Sequence, residues 1–167
     1  MQFGITIPMR RFLKIKDLPY GAAADNWFCW ELHVISLRGR SCLIGVNCAT
    51  RLSFVLADFR GQEAERLPEI VIEEMKLCFR DWGVPEEKTA GYLRAAGAPE
   101  LTRTHGRSQV AYLNKAVDLA MELDWAMEEG SRRQPVLNEL LNTAPTKCAG
   151  DPQKKEPLGR LKFYVGI

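Results

Sequence analysis

Between Trp27 and Leu37, in the stretch WFCWELHVISL, large apolar side chains alternate with others of mixed character. Phe28, Trp30, Leu32 and Val34 fall on one face, opposite Cys29, Glu31 and His33. This two-residue period predicts a half-buried strand. The glycine-centred RGR at 38–40 predicts a tight turn. SCLIGVN and RLSFVLADF, joined by NCAT at 47–50, predict two more strands. Short strands with short links make an antiparallel meander, in which Trp27–Leu37 pairs with Ser41–Asn47.

Beyond the meander the period lengthens. Val71, Ile72, Met75, Cys78, Phe79 and Trp82 recur at steps of one, three and four, the apolar stripe of a helix. Pro68 suits its first turn and Gly83 its end. Pro85 opens a second helix that Gly97 closes, with Tyr92, Leu93 and Ala96 turned inward. After a short extended segment, Glu100–Thr104, a third helix is predicted from about 107 to 129. Its stripe is Leu113, Ala116, Val117, Ala120, Leu123 and Met127, with Asp124 inside the apolar arc. From Ser131 the pattern loosens. VLNELLN predicts a short helix, TAPTKCAGDPQKKEPLG a loop, and RLKFYV a returning edge strand. The expected fold class is α+β, a small antiparallel sheet (a β-meander core) with about three helices packed on one face. Residues 1–130 are expected to form a single domain and 131–167 a C-terminal extension.

Composition narrows the function classes. A net charge of +2 is too small to argue for nucleic acid unless basic residues gather locally. The start of the chain, MQFGITIPMRRFLKIK, holds no uninterrupted apolar core of a signal peptide. No apolar run approaches the roughly 18 residues of a membrane span. A cytoplasmic protein without a membrane partner is expected. The five cysteines are irregularly spaced and form no CxxC pair. Even spacing would let Cys29 meet His33, and Cys42 meet Cys48, on one face of a hairpin. Zinc ordinarily takes closely spaced ligand pairs held by a loop. The expectation is therefore buried, reduced cysteines, with no metal and no cofactor.

The tryptophan-led strand, RGRSCLIGVNCATRLSFVL, THGRSQVAYLN and LNELLNTAP together resemble an uncharacterised family of small bacterial proteins known only as a domain of unknown function. The resemblance covers roughly Arg10 to Val165. The family pattern has a strand ending in Asn or His, followed by a Thr, and a TNNRS turn with an Asn six residues after its Ser. Matching positions are Asn47, Thr50, Thr104, Arg107, Ser108 and Asn114. His105 and Gly106 depart from it, standing where the family has two asparagines. The resemblance implies no activity; it marks polar residues that are more than filler.

Those residues give the candidate chemistry. Helix N-termini carry unsatisfied N–H groups and positive dipole character, and so attract anions. Thr104 or Ser108 is expected to cap the third helix. Arg107, Ser108, Asn114, Thr104 and Asn47 are the candidate anion-binding residues. A second reading makes the turn a structural clamp, in which Arg107 ties it to a neighbouring carbonyl or acid; this is the preferred one. No catalytic residue is assigned, because P-loop, GxGxxG, HExxH and GxSxG motifs are absent. The favoured function is a non-enzymatic binding or interaction protein with a protein partner, such as an inhibitor or accessory factor of a mobile element. A nucleic-acid-binding protein and a small enzyme acting on a phosphorylated ligand stand as alternatives.

Overall fold

The predicted meander forms one end of a larger sheet. In the computed structural model, which describes residues 1–148 and 151–167, β2 (Cys29–Leu37) pairs antiparallel with β3 (Arg40–Asn47), and β3 with β4 (Ser53–Ala57). Two further strands, β1 (Gln2–Ile5) and β5 (Glu100–Arg103), extend the sheet to the order β4-β3-β2-β1-β5. β1 runs parallel to both neighbours, so the sheet is mixed within an α+β fold. β5 is the expected extended segment. β1 has no counterpart in the sequence reading, because four residues are too short to show a period.

Helices cover both faces of the sheet, not one. Phe3, Ile5, Trp30, Leu32, Leu43 and Phe54 pack against α2 (Leu67–Asp81) and α3 (Glu86–Ala96). On the other face Ile35, Cys42, Ile44, Val46 and Val55 meet α4 (Arg107–Glu122) and α5 (Pro135–Thr143). The cause is visible in β3, whose CLIGV run is buried on both faces; alternation in β2 marks two apolar environments, not an inside and an outside. α4 is shorter than expected. It ends at Glu122, and Asp124–Ala126 forms a 3-10 turn in which Asp124 is half-buried while Met127 stays buried.

The chain after residue 130 closes the sheet's edge. Along β4 the outward N–H groups of Ser53 and Val55 bond to Asn142 Oδ1 at 2.8 Å and Asn138 Oδ1 at 2.7 Å. Ala57 N–H donates to the Arg132 carbonyl at 2.8 Å. Residues four apart on a helix advance about 6 Å, close to the roughly 6.6 Å of two strand residues. The two asparagines of LNELLN can therefore replace a neighbouring strand and bury an edge that would otherwise recruit one. The proline-rich segment expected as a loop carries a hairpin, β6 (Thr146–Cys148) with β7 (Asp151–Lys155). RLKFYV is not an edge strand. It belongs to α6 (Pro157–Val165), with Pro157 in its first turn and Gly166 left-handed at its end. α1 (Ile7–Phe12) completes the helices.

Candidate functional site

The turn from Asn47 to Arg51 and the N-terminal half of α4 meet at one end of the sheet. Asn47 is fully buried. Its Oδ1 accepts from Ala49 N, Thr50 N and Thr50 Oγ1, and its Nδ2 donates to the Trp27 and Cys29 carbonyls. Held this way, the turn delivers Arg51 in the left-handed region, φ 68°, a conformation uncommon for a side-chain-bearing residue. Asn47 and Thr50 are thus the frame of a site; Asn47 does not reach the turn before α4.

Arg51 occupies that frame as a buried cation, 4% exposed. Its Nη1 donates to Gln109 Oε1, and its guanidinium lies 3.8 Å from the centre of the Tyr112 ring. Nε and Nη2 are buried and have no partner among the described residues. A neutral amide and an aromatic face are the neighbours of a charge that normally demands a carboxylate. The guanidinium borders a pocket of about 380 Å³ between β3, β4, α4 and the β6–β7 hairpin. Lys115, Lys147 and Lys154 also line it, with Leu119 and Leu141 as apolar wall. No acidic side chain is among the lining residues. Tyr112 and Gln109 come from THGRSQVAYLN, three residues apart on one helical face, so two of the four stretches that carried the resemblance meet at Arg51. Sequence reasoning passed over Arg51, Gln109 and Tyr112. The helical spacing was visible, but nothing in the chain tied position 51 to it.

The expected anion residues lie on another side of α4. Thr104, Arg107 and Asn114 line an open groove of about 560 Å³ with Arg10, Tyr20 and Arg103. Ser108 is exposed in the first turn and does not line it. Neither Thr104 nor Ser108 caps the helix; Gly106, at φ 103°, takes that position and no side chain bonds to the first turn. Arg107 is exposed and makes no side-chain hydrogen bond or ion pair among the described residues, so the structural clamp at this position is not found. Arg103 is the clamp instead. It donates to the Leu18 carbonyl and to Asp17 Oδ1, each at 2.9 Å, and lies 4.7 Å from the Tyr20 ring centre. That hydrogen bond holds the Asp17 carboxyl below its ordinary pKa.

His105 points the other way, into the sheet. Its backbone N–H and its Nδ1 reach Glu31 Oε1 at 2.6 and 2.9 Å, and its Nε2 lies 3.1 Å from Gln2 Oε1. Cys48 Sγ is 3.9 Å from both Glu31 Oε1 and His105 Nδ1. Burial pulls the imidazole pKa down, but hydrogen bonds to Cys29, Cys48 and Glu31 outweigh it and carry His105 up to about 12. Burial pushes the Cys48 thiol up. The pairs considered from even spacing do not form: His33 Nδ1 bonds Thr6 Oγ1 at 2.7 Å, and Cys42 lies in the α4-side core.

The family model described as "Domain of unknown function (DUF6933)" matches residues 2–157, nearly the whole chain. A comparison with curated proteins returned no match. Among the described residues no helix is long and apolar enough to cross a membrane.

Proposed function

The chain belongs to that family of domains of unknown function, and from this premise we propose that it is a non-enzymatic binding protein for a phosphate- or carboxylate-bearing ligand seated on Arg51. One observation carries the reading: among the described residues, a buried guanidinium with two unpartnered N–H-bearing nitrogens borders a pocket lined by three lysines and no acid. Burying a cation without a counter-charge is costly, and an anion entering the pocket removes that cost. Planar, forked donors suit phosphate and carboxylate in particular. A volume of about 380 Å³ falls within the range of small-molecule pockets, and Tyr112 with Leu119 offers an apolar or aromatic wall for the ligand's body. The binding reading is favoured over an enzyme because neither histidine lines the pocket and Ser53 Oγ is already donating to the Arg51 carbonyl at 2.9 Å. The groove at Arg107 ranks second, since Arg103 is already paired with Asp17 there.

Thermal melts with inorganic phosphate, a mononucleotide, a single-stranded oligonucleotide and an acidic peptide test the proposal. At about a hundred times its dissociation constant the ligand stabilises the fold by roughly 2.7 kcal/mol. Arg51→Met removes this shift, whereas Arg107→Ala keeps it. Equal anion-dependent stabilisation in wild type and Arg51→Met rejects the pocket. A shift lost in Arg107→Ala alone moves the site to the groove.

A further inference from the structure

We propose that Glu31, Cys48 and His105 form a binding site for a divalent transition metal, zinc by the chemistry of the donors. They are the one such group among the described residues, and their ligand atoms all lie within 4.8 Å of one another. Thiolate, imidazole and carboxylate are the three donor types that zinc accepts in protein sites.

The geometry fits closely. Cys48 Sγ, His105 Nδ1 and Glu31 Oε1 form a triangle with edges of 3.9, 3.9 and 2.9 Å. Tetrahedral bonds of about 2.0–2.3 Å require edges of roughly 3.3–3.6 Å. Each edge therefore has to change by only about 0.3–0.6 Å, well within a side-chain adjustment.

A second observation is independent of that triangle. Glu31 is 1% exposed, and its Oε2 is buried without a hydrogen-bond partner among the described residues. An orphaned carboxylate oxygen at this depth is expensive unless something positive meets it. Space for that partner exists because residue 4 is glycine. A Cβ built on Gly4 would stand 2.6 Å from Glu31 Oε2 and 2.8 Å from His105 Nδ1, so both atoms converge on a volume that any side chain would fill.

Gln2 orients the imidazole as outer partners of metal sites do. Its Nε2 donates to the Ala22 carbonyl at 3.0 Å, which turns its Oε1 toward His105 Nε2. An acceptor there keeps the proton on Nε2 and leaves Nδ1 as the ligand atom. Binding replaces the Nδ1 proton of His105 and the thiol proton of Cys48, and both protons leave to solvent. The resulting centre carries one thiolate, one carboxylate and a doubly charged ion. It is electrically neutral, as its burial requires.

The site was hidden along the chain because its ligands come from β2, the 47–51 turn and the turn before α4. Close ligand pairs are the usual sequence signal, and here each ligand stands alone.

Cobalt titration of metal-stripped protein tests the site, because a thiolate ligand produces charge-transfer absorption that nitrogen and oxygen ligands do not. We expect the band to saturate at about one cobalt per chain with at least micromolar affinity, and zinc to displace it. Cys48→Ser removes the band, Cys148→Ser leaves it, and Gln2→Leu weakens binding roughly 10- to 100-fold. No charge-transfer band in the wild-type titration overturns the proposal without reference to any variant. A band that persists in Cys48→Ser, or disappears in Cys148→Ser, assigns the metal to another thiol and overturns it equally.

Discussion

Five hydrogen bonds converge on the Asn47 side chain, and every one of them ends on the protein itself. The residue therefore acts by position, holding Cys48 on one side of the sheet end and Arg51 on the other. Asn47→Ala strands the backbone N–H groups of Ala49 and Thr50 in a buried turn, while the Trp27 and Cys29 carbonyls keep the Tyr92 hydroxyl and the Cys48 N–H as donors. The expected loss is about 3 kcal/mol, read from urea unfolding. Arg107→Ala is the contrast at the same scale. An exposed guanidinium without a partner contributes within about 0.5 kcal/mol, so its melting temperature should match the wild type. Comparable losses from both substitutions would mean that Arg107 holds the turn after all.

Elements were legible where their period was long. The meander and the stripes of α2 and α4 were readable because each presents enough residues to separate a step of two from one of 3.6. β1 is too short for that, and its parallel pairing with β2 and β5 depends on contacts distant in sequence. Of the candidate site, Asn47 and the α4 motif were visible, but Arg51 and the Glu31–Cys48–His105 group exist only once three elements meet. The end of the chain misled for a different reason. Leu161, Phe163 and Val165 alternate as a strand would, yet Pro157, Arg160 and Leu161 are the residues buried, at helical spacing. Leu161 is fully buried and Phe163 is 83% exposed. As a helix, α6 loses about 2–5 kcal/mol on Leu161→Ala and within about 0.5 on Phe163→Ala. A strand facing the core with both residues would lose heavily at each. Paired denaturation curves decide between them.

At the scale of the whole molecule, the question is whether the chain after residue 130 is an appendage. The core on the α4 side includes Leu137 and Leu141 of α5, and the core on the α2 side includes Leu161 of α6. Tyr164 stacks on Trp27 at 4.7 Å between ring centres, and Arg160 Nη2 donates to the Thr146 carbonyl at 2.7 Å. Removing residues 131–167 would expose both cores and leave Ser53, Val55 and Ala57 with unpaired N–H groups along β4. An open, apolar strand edge of that kind pairs readily with a second chain. Full-length protein should therefore unfold in one transition, with tryptophan fluorescence and far-ultraviolet circular dichroism coinciding. A fragment of residues 1–130 should fail to show a cooperative transition and should aggregate through β4. If the fragment instead melts cooperatively as a monomer, the sheet stands without α5 and α6, and the C-terminal segment is a separable extension.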